Sequence, residues 1–197
     1  MVGTIAPLVQ VARRQWLVST GIFLATSVLG GGLFGVALGS LGWFVCGRRP
    51  PHLVTWLLAT CAVVLALVDM QILPFAVPTS FRSVPQSWWV RYGPFKAAFA
   101  YGGILGMGIT TFIPFASFYF IPVADLLLGP LLGGIIGAGY GLGRALAVPI
   151  ASIAIIGGVK PEAIGQAIVG AGRLRQLAKR LNGLGLLLVA VGLIVWT

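Results

Sequence analysis

Between Trp16 and Val45 the chain runs for thirty residues without one charged side chain, and that run limits what the rest can become. A helix rises 1.5 Å per residue, so about 20 apolar residues cross the hydrocarbon of a bilayer. Comparable apolar stretches recur at about 53–77, 97–121, 126–158 and 181–197, after the first at 16–45. Of the 197 residues 58% are hydrophobic and 8% charged, with a mean hydropathy of +1.04. A soluble domain has about a quarter of its residues charged, so this chain could not cover itself in water. The pattern predicts an all-α polytopic membrane bundle of about five transmembrane helices, forming a single domain over 1–197. Strands of a membrane barrel would alternate apolar and polar residues, and these runs do not. Arg13 and Arg14 stand where a signal peptide carries its charges, but the following run is too long for a cleaved leader and reads as a retained first span.

Thirteen Lys and Arg against three acidic residues give a net charge of +10. That balance can mark a nucleic-acid binder. Here the basic residues lie mostly between apolar runs, where topology accounts for them, and no nucleic-acid partner is expected. With the N-terminus inside, the cytoplasmic side collects Arg13, Arg14, Arg82, Arg91, Lys96, Lys160, Arg173, Arg175, Lys179 and Arg180, leaving Arg48 and Arg49 outside. The positive-inside rule then predicts a cytoplasmic N-terminus and an outer C-terminus in a bacterial cytoplasmic membrane. Trp88, Trp89 and Tyr92 beside Arg91 and Lys96 form an interfacial belt. Residues 162–180 interleave basic side chains with Ile164, Ile168, Leu174 and Leu177, predicting an amphipathic helix on an anionic face and making membrane lipid the first expected partner.

Within the apolar runs a few polar residues stand out. Asp69 and Arg144 are costly in hydrocarbon unless paired, protonated or wetted, and they fall at similar expected depths, so mutual neutralisation would lower the cost of both. Pro114 breaks the third run and frees backbone carbonyls beside Thr110 and Thr111. Asp69, Arg144, Thr110, Thr111 and Pro114 are therefore the candidate solute-binding residues; the competing reading is a structural hydrogen bond at Asp69 and an ordinary kink at Pro114. Pro122 to Pro130 reads as a tight return containing Asp125. Gly31, Gly35 and Gly39, and again Gly133, Gly137 and Gly141, recur every fourth residue and predict close helix packing. The two sets lie on spans of opposite direction, as an inverted repeat would place them.

Cys46 and Cys61 show no metal-ligand spacing, and Cys61 would lie about 12 Å deeper by the helical rise, beyond disulfide reach. His52 stands alone. No metal, no cofactor and no enzymatic activity are expected.

Thr111-Phe112-Ile113-Pro114, Tyr140-Gly141-Leu142-Gly143 and Leu181-Asn182-Gly183-Leu184-Gly185 give residues 97–197 a resemblance to the transmembrane domain of the CcdA/DsbD type, the cytochrome c biogenesis and thiol-redox family within the LysE-like group. The resemblance implies six helices in two inverted halves, of which this chain would lack the first. It also implies a redox cysteine just after the proline, where this chain has Phe115. The implied role is thus a scaffold without thiol chemistry: a small-solute permease or transport component. The alternative is a non-catalytic structural subunit of a larger membrane complex, in which a partner membrane protein or a second copy covers the surface of the missing helix.

Overall fold

The computed structural model describes residues 13–47, 50–75, 87–108, 115–159 and 172–195. Its elements are all helical: α1 (Arg13–Cys46), α2 (Pro51–Asp69), α3 (Ser87–Met107), a 3-10 turn η1 (Ala116–Tyr119), α4 (Phe120–Leu128), α5 (Pro130–Ile156) and α6 (Gly172–Val195). Among the described residues α1, α2, α5 and α6 contain segments long and apolar enough to cross a membrane. Their outer faces are apolar as well, with Leu33, Phe44, Leu131 and Leu188 exposed. Helices hydrophobic all round belong in lipid, and the chain is a polytopic helical membrane bundle.

The apolar runs and the helices differ in three places. α2 ends at Asp69, short of residue 77, because the chain closes in a Schellman turn. Gln71 takes a left-handed backbone, φ 61°, while its N–H bonds to Val68 O at 3.0 Å and the N–H of Ile72 bonds to Leu67 O at 2.9 Å. The run at 97–121 is not one helix. α3 starts upstream at Ser87, bends at Gly93 (φ 76°) just before Pro94, and ends at Met107; η1 and α4 form separately beyond it. Glycine tolerates that φ, and proline has no N–H to continue the ladder. The final helix begins at Gly172 and carries the basic residues straight into the apolar end, so no break occurs at Asn182-Gly183. Residues 162–171 of the expected amphipathic stretch lie outside the described residues.

The chain forms two compact units, and α1 and α5 contribute to both. The first comprises Met1–Leu33, Phe81–Thr111 and Gly137–Ala171. Here Phe23 of α1 packs with Ala97, Ala98, Tyr101 and Leu105 of α3 and with Ala145 and Val148 of α5. Small residues let the backbones approach: a Cβ on Gly106 or on Gly141 would collide with Ser27 O, and one on Gly31 with Gly137 O. Ser27 Oγ donates to Gly141 O at 2.9 Å, fixing the register of α1 against α5 in this unit.

The second unit comprises Phe34–Ser80, Phe112–Ile136 and Gly172–Thr197. Ala59, Ala62 and Ala66 of α2 pack on Leu186 and Ala190 of α6. Gly183 sits against Ala66 O, where a Cβ would lie 3.0 Å away, so close packing accompanies a glycine that would otherwise weaken the helix. The later part of α1 meets α4 and the start of α5 through glycine: added Cβ atoms would strike Gly133 O from Gly35, Gly129 and Pro130 from Gly39, and Leu126 O from Gly42. Within each unit, steps up α1 are answered by steps down α5. The two glycine sets found in the sequence lie on these antiparallel faces.

Candidate functional site

In the second unit the backbone is irregular in an apolar setting, and the two buried acids lie there. Phe115, extended at φ −122°, precedes η1; η1 runs into α4; Gly129, φ 87°, separates α4 from α5. Short helices in apolar surroundings leave polar backbone ends that need partners. Asp69 supplies them at the start of η1. Its Oδ1 accepts the N–H of Ala116 at 2.7 Å and its Oδ2 the N–H of Ser117 at 2.9 Å. No local side chain caps η1, so the cap comes from a residue distant in sequence. Asp69 is the last residue of α2, where the negative end of its own helix disfavours a carboxylate, and the amides of η1 offset that. Ser117 Oγ in turn accepts from Asn182 Nδ2 at 3.3 Å, tying α2, η1 and α6 together.

Asp125 is buried equally, with 1% of its surface exposed, as for Asp69. Its Oδ1 has no hydrogen-bond partner among the described residues. It lies on α4, in the segment expected as a tight return; the segment instead forms helix from Phe120 to Leu128, and that helix turns Asp125 inward. Gly133 of α5 comes so close that a Cβ there would stand 3.4 Å from the Asp125 Cα and 2.6 Å from Gly35 O. The glycine contact thus brings α5 against the backbone of α4 at Asp125.

A cavity of about 670 Å³ in the same unit is lined by Leu41, Val45, Leu57, Cys61, Val64 and Leu126, among others. Its walls are apolar. Cys61 is a free thiol, half-buried in α2. Among the described residues no three His, Cys, Asp or Glu side chains converge to hold a metal.

The other expected site residues fall elsewhere. Arg144 belongs to the first unit, on α5, where its Nη1 donates to Tyr140 OH one turn earlier and its guanidinium lies 5.8 Å from the centre of that ring. Asp69 belongs to the second, where its carboxylate accepts two amides of η1. Those N–H groups open a short helix and have no carbonyl four residues back, so an acceptor from elsewhere in the unit satisfies them. Thr110, Thr111 and Pro114 lie outside the described residues. Asp125 was not among the expected site residues. The available signal was its place as one of only three acidic residues in the chain, flanked by apolar residues on both sides.

Compared with protein-family models, with curated proteins and with solved structures, the chain matches none.

Proposed function

We propose that the chain is a small-solute transport component of a cytoplasmic membrane, non-enzymatic, with its N-terminus on the cytoplasmic side. The observation that carries this reading is the pairing of helix breaks with a buried carboxyl group whose Oδ1 has no hydrogen-bond partner among the described residues of the second unit. Discontinuous helices in membrane transporters place binding groups where continuous helices hide their backbone, and an ionisable residue inside the membrane is a functional group by default. Asp69 is assigned to holding the break. Arg144 remains the group suited to an anionic solute, its charge kept close to the Tyr140 ring.

The test is uptake into proteoliposomes of the purified chain, using labelled small organic anions and sulfur oxyanions. Uptake above protein-free vesicles that falls in Arg144→Gln supports the reading; rates equal to empty vesicles across the panel count against it. The alternative is a structural subunit of a larger complex. It is favoured by the exposed apolar face of α6, with Leu181, Leu184, Leu188 and Val191. Stoichiometric co-purification of another chain in mild detergent would select it.

A further inference from the structure

We propose that Asp125 is a proton-binding site: its carboxyl group takes up a proton inside the second unit and releases it again when water reaches it. The role of that proton as a coupling ion rests on the transport reading above; the binding site itself does not. Two observations converge. Asp125 is 1% exposed, and its Oδ1 accepts nothing among the described residues.

Among the described residues, the elements packed against α4 carry no Lys or Arg. α2 carries His52, Cys61 and Asp69; η1 carries Tyr119; the later part of α1 has Cys46 at its last position; and the start of α5, up to Ile136, has no titratable residue. None of these bonds to Oδ1. His52 is exposed at the first turn of α2, and Asp69 is engaged by the η1 amides. Burial with an oxygen left unbonded penalises the charged form and favours the acid that holds its proton. The step is simple in balance: the carboxylate and one proton from the aqueous phase give the carboxylic acid, and the reverse returns both.

Infrared spectroscopy of the full chain in lipid, compared with Asp125→Asn, tests this. Asparagine keeps the shape and removes the acid. In mildly acidic buffer the wild type should show the carbonyl stretch of a protonated carboxyl group, absent in Asp125→Asn. Above its midpoint that band should fall by about tenfold per pH unit. A spectrum in which Asp125→Asn leaves that region unchanged overturns the proposal. A second measurement uses dicyclohexylcarbodiimide, which adds to protonated carboxyl groups in apolar surroundings. Peptide mapping should find adduct on Asp125 in excess of Asp69, and preferential labelling of Asp69 overturns the assignment. If the band is present but Asp125→Asn leaves solute flux and its response to a pH gradient intact, the proton site stands and the coupling role fails.

Discussion

Asp69 and Asp125 are buried to the same degree in the same unit and differ in what their oxygens touch. Asp69 ends α2 and meets two amides that the broken backbone after α3 leaves without helical partners. Asp125 lies within α4, away from its start, and its Oδ1 accepts nothing among the described residues. Burial alone therefore says little about a membrane carboxylate. The position of the acid relative to helix ends decides whether it is structural or available.

The contrast predicts unequal costs of removal. Asp69→Ala leaves the buried N–H of Ala116 and the part-buried N–H of Ser117 unpaired, and hydrogen bonds to a charged acceptor are worth about 1.5–3 kcal/mol each, so the bundle should lose about 3 kcal/mol. Asp125→Asn should change stability by less than about 1 kcal/mol, since Oδ1 gives up no bond to the described residues. Thermal or denaturant unfolding of both variants in one detergent compares them directly. Equal losses would erase the distinction.

A smaller effect is expected from the Gly35–Gly133 contact, where α5 also meets the α4 backbone at Asp125. Gly35→Ala pushes a methyl group into Gly133 O, a backbone atom with little freedom, and overpacking of that kind costs about 1–3 kcal/mol. Gly139→Ala and Gly143→Ala, on the same helix α5, meet nothing within 4 Å and should be neutral or stabilising by up to about 1 kcal/mol through helix propensity. If Gly35→Ala also admits water, the protonated-carboxyl band of Asp125 should weaken with it. That would tie the proton site to the seam.

Much of this was legible in the sequence, and the limits have physical causes. The uncharged run from Trp16 to Val45 required a membrane helix, and glycine spacing marked faces where α1 and α5 approach in each unit. Helix ends were harder. Hydropathy continues past Asp69, but a turn built on Gln71 in a left-handed conformation stops the helix there, a conformation glutamine seldom adopts and composition does not announce. Pairing was harder still. In the sequence, charge is the one visible sign of a partner for Asp69; the η1 amides that its carboxylate accepts exist as free donors only once the chain has folded into separate short helices. Asp125 was read as part of a return because prolines bracket it, yet Pro122 falls in the first turn of α4, where proline is tolerated.

The turn beside Asp69 offers a finer test. Gln71 in the left-handed region costs about 1 kcal/mol relative to glycine. Gln71→Gly should therefore raise stability by about that amount while leaving the Asp69 cap in place, seen as a higher unfolding midpoint with unchanged infrared bands. A loss of stability would mean that the glutamine side chain contributes more than the backbone strain takes away.

The smallest expected effect concerns the far end of the same network. Asn182 is exposed and reaches Ser117 Oγ over 3.3 Å, a long bond between neutral groups, so Asn182→Ala should change stability by no more than about 0.5 kcal/mol. Ser117 nevertheless links it to Asp69, because its N–H donates to one and its hydroxyl accepts from the other. A double-mutant cycle of Asp69→Asn with Asn182→Ala separates the two possibilities. Additive costs mean that Asp69 alone holds η1 and that the α6 contact is incidental. A coupling near 1 kcal/mol means that α6 orients Ser117 for the carboxylate, which makes the cap a three-element joint; Asp125 has no counterpart to either arrangement.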